Sequence, residues 1–175
     1  RVRVDRLTEA ITVMKALFSD DPVTHTGPHY RLTGLDGYPK PVQRPHPPLL
    51  LGGAQRRMLT LAGREADIVG LAPRPNPGSG APVTRARIED DLARQNEWIR
   101  AGAGGRYEEL ELNVTAFPVI VDADHDSRAA RLGKRLGTEP EAVFASPHML
   151  VGSIDRICDT LEAHRARWDV SYVTV

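Results

Sequence analysis

The sequence predicts an α/β fold with parallel strands, and within that class about half of a (β/α)8 barrel. Three observations carry this. Short apolar runs alternate with amphipathic helical stretches, an order that calls for parallel strands joined by right-handed crossovers. The G-x-G-x-x-G fingerprint of the doubly wound nucleotide fold is missing, since "GGAQRR" after the first apolar run does not supply it. Four strands of this kind are legible in 175 residues, and a closed barrel needs eight.

The elements follow in order. From Val4 to Phe18, Leu7, Ile11, Met14 and Phe18 recur at helical spacing, with Asp5, Arg6, Glu9 and Lys15 on the other side. "SDDP" ends this helix, because Pro22 disfavours helical geometry at Asp21. A long connection follows, with room for short extended pieces such as His29 to Leu32 and five prolines between Pro39 and Pro48. Leu49 to Leu51 reads as a strand covered on both faces, and Gln55 to Arg64 as a helix with Met58, Leu59 and Ala62 inward. "ADIVGLA" is a second buried strand. The Pro- and Gly-rich segment 73–82 is expected to be a mobile loop at the strand-end side, placed like a lid.

A helix is expected from about Thr84 to Ala101, with Ile88, Leu92 and Ile99 on one face, ended by "GAGG" acting as a C-terminal cap. "LNVTAFPVIVD" reads as a third strand and "DSRAARLGKRL" as a short helix. "GSIDRICDTLEAHRARW" is a helix with Ile154, Ile157, Cys158, Leu161 and Trp168 in register, so Cys158 is expected in the core, and "VSYVTV" is a fourth strand. The whole reads as one domain over 1–175, a partial barrel without its N-terminal strands.

Composition narrows the function classes. Lys plus Arg and Asp plus Glu both number 23, so there is no basic excess of the kind that holds a phosphate backbone, and no nucleic-acid partner is expected. No run approaches the ~18 apolar residues of a membrane span, and a single cysteine excludes an internal disulfide framework. A cytoplasmic enzyme is the simplest expectation. The chain opens at Arg1 and goes directly into helical periodicity, which suggests that something upstream is left out.

The candidate site lies at the paired glycines. In parallel α/β folds ligands sit beyond the carboxyl ends of the strands, where the next helix offers unpaired N–H groups and the positive end of its dipole. Gly52 and Gly53 stand at such a junction. Lacking side chains, they let a phosphate approach the amides of Gly53, Ala54 and Gln55, with Arg56 or Arg57 adding charge-assisted bonds. The alternative is a tight turn that only needs a positive φ, with both arginines solvated.

Other constellations are weaker. His25 and His29 are separated by four, but Gly27 and Pro28 break the helix a zinc pair would need, so no metal site is assigned. Asp122, Asp124 and Asp126 begin like a calcium loop that lacks its glycine and final glutamate, so capping of the following helix is the better account. His125, Asp126 and Ser127 are not placed around a nucleophile elbow. His148 in "SPH" is either a structural histidine or a group on the substrate side.

The succession "RVDRLTEAITVMKALFSD", "GPHYRL" and "PKPVQRPHPPLLLGGAQRRMLTLAGREADIVGLA" resembles the middle and C-terminal portion of bacterial luciferase-like monooxygenases, most closely their branch that uses the deazaflavin coenzyme F420. "SPHMLVGSIDRICDTLEAHRARWDVSYVTV" is similar to the end of that family. The resemblance implies a TIM barrel of the luciferase-like type with about its C-terminal half present. It implies an oxidoreductase moving a hydride between F420, or alternatively FMN, and a small organic substrate.

On the same resemblance, Leu51, Gly52, Gly53 and Ala54 border the coenzyme and its phosphate, with Gln55, Arg56 and Arg57 as looser assignments. The family's catalytic side chains lie in strands absent here, so no catalytic residue is assigned. Either the chain is a fragment or its partner half arrives from elsewhere. A non-catalytic cofactor-binding or oligomer-forming barrel fragment is the other reading. Open sheet edges are expected to make the isolated chain a homo-oligomer.

Overall fold

The computed structural model describes residues 2–74 and 81–175 and divides into two compact units, the first ending at Leu49 and the second running from Leu50. The segment expected to be a mobile loop falls mainly on 75–80, outside the described residues.

The first unit is a helix and a hairpin. Helix α1, Val2–Leu17, carries Asp5 in its first turn and Lys15 in its last, each sign matching the helix dipole, and buries Ile11 and Val13. Strands β1, Val23–Thr26, and β2, Arg31–Leu35, pair antiparallel where an extended piece was expected. The Glu9 carboxylate on α1 fixes the turn between them. It meets His25 Nε2 at 2.9 Å and accepts from the amides of His29 at 3.0 Å and Tyr30 at 2.9 Å.

The second unit is built on a four-stranded parallel sheet in the order β3, β4, β5, β8. Its strands are β3, Leu50–Gly53; β4, Ile68–Leu71; β5, Glu111–Thr115; and β8, Val170–Thr174. These are the four strands legible in the sequence. Helices α2, Arg56–Glu65, and α3, Arg85–Ala103, follow β3 and β4 as expected. Leu59 and Ala62 of α2, Leu92 and Ile99 of α3, and Val69, Leu71, Leu112 and Val114 of the strands form one buried core. Deleting a side chain as enclosed as Leu59 costs about 2–5 kcal/mol. Gly104, at φ 58°, caps α3 in the role expected of "GAGG", and a 3-10 turn, Gly104–Glu109, leads into β5.

The stretch "LNVTAFPVIVD" is not one strand. It bends after β5, and Val119–Val121 forms β6, which pairs in parallel with β7, Leu150–Gly152, in a separate sheet. Pro118 has no N–H to give a continuing ladder, so the first sheet cannot run through it. Between β6 and β7 stand α4, His125–Leu136, and α5, Pro140–Ala145, around a small core of Ala129, Val143 and Val151. Three-residue strands carry too little alternation to be read from sequence.

Helix α6, Ile154–Trp168, leads into β8, but Cys158 is exposed and Ile154 is 67% exposed, against the expected stripe. The buried seam runs instead through Ile157, Leu161, His164 and Trp168, at spacings of four, three and four. Among the described residues no helix is long and apolar enough to cross a membrane.

Candidate functional site

Alternation along the strands gives the parallel sheet two different faces. Val69, Leu71, Leu112 and Val114 point into the helix-covered core. Leu50, Gly52, Ile68, Gly70, Glu111 and Asn113 occupy the opposite face. There Leu50 is 51% exposed, so the strand expected to be covered on both faces is covered on one. The uninterrupted leucines mark a strand whose second face no described element of this unit covers.

One level of that face stands out. The register aligns Gly52 with Gly70, Gly70 with Asn113, and Asn113 with Tyr172 across four adjacent strands. A Cβ on Gly52 would lie 3.1 Å from the Gly70 carbonyl oxygen, and one on Gly70 would lie 3.3 Å from Gly52 Cα. Two neighbouring strands thus present backbone without side chains side by side near their carboxyl ends, a gap that we call the glycine hollow, bordered by Leu50 Cδ2 and Asn113 Oδ1. Asn113, buried beside it, donates its amide N–H groups to the Tyr172 carbonyl at 3.2 Å and to Thr174 Oγ1 at 3.1 Å. This fixes the amide so that Oδ1 lies on the side of Gly70.

The turn after β3 completes the junction. Gly53 closes the strand, its carbonyl accepting from Ala72 N at 3.1 Å, and Gln55 is extended at φ −119° before α2 begins at Arg56. The Gln55 carbonyl accepts from Met58 N and Leu59 N, while its side chain makes no capping bond. The first turn holds no acidic residue, and Arg56 and Arg57 are exposed. Neither Gly52 nor Gly53 has a positive φ, which removes the tight-turn alternative. The glycines serve close approach instead: a Cβ on Gly53 would come 2.6 Å from Met58 Cγ.

The other candidates are scattered. His148 lies above the end of β5, its Nδ1 3.3 Å from the Thr115 carbonyl, and burial pushes its pKa below the usual histidine value against the pull of that bond. His25 is engaged with Glu9 in the first unit. Asp122 accepts from Asp124 N at 2.9 Å and from Arg128 at 2.6 Å, which holds it below the usual carboxylate range and ties the start of α4. His125 Nε2 is 3.2 Å from an Arg156 nitrogen. Among the described residues no group of three or more His, Cys, Asp or Glu side chains is arranged to hold a metal. Sequence reasoning missed Gly70 and Asn113. Their signals were a glycine inside a strand run and an amide between apolar neighbours, either of which can mark close approach or a fitted polar contact.

A family model described as luciferase-like monooxygenase matches residues 1–167. The chain belongs to the luciferase-like monooxygenase family. Within this family it is 28% identical over 141 residues to an FMNH(2)-dependent dimethylsulfone monooxygenase of Pseudomonas putida, and 27% identical over 143 residues to the enzyme of that name from Pseudomonas fluorescens. These alignments cover 81% and 82% of this chain but 35% of each relative. The fold is similar to that of an F420-dependent secondary alcohol dehydrogenase in complex with an F420-acetone adduct, with a TM-score of 0.68 at 18% identity, over 99% of this chain and 56% of that one. It is also similar to a coenzyme F420-dependent tetrahydromethanopterin reductase from Methanopyrus kandleri, with a TM-score of 0.64 at 16% identity, over 97% and 56%.

The chain therefore spans about a third of the length of the curated relatives and about half of the solved structures it matches. Its parallel sheet is an arc of the luciferase-like TIM barrel, and the hollow lies on the face opposite the helices, the side such a barrel encloses.

Proposed function

We propose that the junction Leu51–Arg57 binds the phosphate of a flavin or deazaflavin coenzyme, in an oxidoreductase that transfers a hydride between this coenzyme and a small organic substrate. The observation that carries the reading is the Gly52–Gly70 hollow beside a helix start that no side chain caps. The residues fit such a group. Gly52 and Gly70 carry no side chain there, with Leu50 and Asn113 at the border; the α2 dipole is positive at this end, no carboxylate stands in its first turn, and Arg56 and Arg57 supply charge.

Each part of the chain then has a task. The backbone of Gly52 and Gly70 admits a flat ring system at close range, and the first-turn amides of α2 with Arg56 or Arg57 hold the phosphate. Asn113, locked by Tyr172 and Thr174, presents its carbonyl oxygen as an acceptor beside the hollow. The coenzyme, when bound, supplies the redox chemistry, and the protein supplies orientation and electrostatics. Relatives by sequence named for FMNH(2) and structural neighbours named for F420 support the class of coenzyme, with F420 put first on the family resemblance of the stretches quoted under Sequence analysis and FMN as the alternative.

Titrating the intact protein with F420 and with FMN, while following coenzyme absorbance for turnover on small alcohols and sulfones, tests this. Saturable binding of one coenzyme with turnover is expected. Saturable binding without turnover would instead favour a cofactor-binding scaffold, and failure of both coenzymes to bind would overturn the reading.

A further inference from the structure

A solvent-open cleft, about 400 Å3 with its mouth included, lies beyond the carboxyl end of β4 against α3; its lining residue Ala72 donates to the Gly53 carbonyl, so it adjoins the turn after β3. Its walls are apolar, formed by Ala72, Ile88, Leu92 and Pro147. Its charged groups form one cluster. Arg74, three residues beyond the end of β4, donates to Asp91 Oδ1 at 2.6 Å, and Arg87, one turn before Asp91 on α3, donates to Oδ2 at 2.8 Å. Asp91 is only 8% exposed, so this is a largely enclosed carboxylate shared by two guanidiniums.

Two positive groups against one negative leave a single positive charge on the lining of an apolar cleft, where low dielectric strengthens its reach. The Arg74 Nε–H is buried and has no hydrogen-bond partner among the described residues. His148 lines the opposite wall and, held neutral by burial, adds no charge but offers a ring nitrogen. One N–H of the Gln95 amide is donated to the Ala72 carbonyl at 2.9 Å, which sets the orientation of this side chain at the cleft.

We infer that this cleft is a second binding site, which takes a small organic monoanion, a carboxylate or sulfonate on a short aliphatic body, with its head at Arg74 and Arg87 and its body against Ile88 and Leu92. An unpaired positive charge beside apolar walls favours a ligand with one charge and one greasy end, and disfavours both neutral molecules and dianions. The charged groups of the cleft, Arg74, Arg87 and Asp91, lie outside the Leu51–Arg57 junction, so the site is testable without coenzyme.

Trp98 provides the reporter, because the Arg74 guanidinium lies 5.7 Å from its ring centroid. The intact protein is labelled with 5-fluorotryptophan, the Trp98 resonance is assigned by its loss in Trp98→Phe, and isobutyrate and isobutyramide are titrated separately at constant ionic strength. Isobutyrate is expected to shift the Trp98 resonance saturably with a dissociation constant of about 1 mM, the scale open to a ligand of roughly six heavy atoms. Isobutyramide, of the same shape without the charge, is expected to bind at least about tenfold more weakly. Arg87→Gln should abolish the preference and Arg87→Lys should keep most of it, each checked for a native melt. Equal binding of acid and amide, no saturable shift with either, or an unchanged preference in a folded Arg87→Gln protein would each overturn the assignment. The comparison in the unsubstituted protein decides even if a variant does not fold.

Discussion

Gly52 and Gly70 face each other across β3 and β4 with a carbonyl 3.1 Å from where a Cβ of Gly52 would stand. Replacing Gly52 by Ala therefore forces a backbone carbonyl to shift by a few tenths of an ångström, and Gly52→Val adds branches to the same gap. Costs of about 1 kcal/mol and about 2–3 kcal/mol are expected, read from urea unfolding midpoints. Coenzyme affinity should fall further than stability does, since the side chain also fills the hollow. Parallel losses of both would mean that the glycines serve strand packing alone.

Gly53 and Met58 are expected to be coupled. A Cβ on Gly53 meets Met58 Cγ, so Gly53→Ala should destabilise by about 1–2 kcal/mol in the native background and by much less alongside Met58→Ala. A double-mutant cycle measures this, and additive costs would place the strain elsewhere.

Arg106 ties off the other end of α2. Its guanidinium donates to the carbonyls of Gly63 at 2.9 Å, Arg64 at 3.3 Å and Ala66 at 2.8 Å. Arg106→Ala leaves these terminal carbonyls without their charged donor, and about 1–3 kcal/mol of stability should be lost. Arg106→Lys should recover only part, because an ammonium cannot span three acceptors as a planar fork does. Thermal melts of the two variants check this.

Acid should weaken the fold well above the range where carboxylates titrate. Burial lowers the pKa of His148, against the pull of its bond to Thr115 and aided by the nearness of His164; burial likewise lowers that of His164, against its bond to the Ala145 carbonyl. An unfolded chain takes up both protons near the ordinary value of 6.5. Below it the unfolded state binds more protons than the folded one, so stability is fully present above about pH 6.5 and falls as pH drops towards the folded values. Glu9, Glu89 and Asp122, all held below their usual range, add losses only at lower pH, near 4.5 and under. Denaturation midpoints between pH 7.5 and 5 should decline in the native chain and decline less steeply in His164→Gln, where only His148 remains. A flat native profile would contradict the burial of both imidazoles.

What the sequence made legible follows from period. The four strands of the parallel sheet and helices α1 to α3 carry long apolar repeats, and Gly52 and Gly53 were visible because an apolar run changes there to helical spacing. Gly70 and Asn113 were not, since their importance lies in register with Gly52 across strands far apart in sequence, and one strand read alone does not show it. Cys158 misled for a related reason: α6 has apolar residues over more than one face, and only packing shows that His164 and Trp168 set the inward seam. The bend at Pro118 was readable as a missing donor, but β6 and β7 are too short to announce themselves.

Sheet edges offer a further check. Among the described residues β3 and β8 each pair on one side only, which leaves a row of backbone donors and acceptors open. The 175-residue chain alone is expected to associate, with sedimentation velocity showing dimers or larger species at micromolar concentration. A monodisperse monomer would show that these edges are protected in isolation.

The coenzyme assignment is tested most directly by a crystal structure of the intact protein with F420 or FMN bound. The phosphate should lie within hydrogen-bond distance of amides between Gly53 and Arg57, with the ring system against the Gly52–Gly70 backbone. A phosphate held at another helix start, such as Ser153 before α6, with side chains of other strands packed into the glycine hollow, would contradict it.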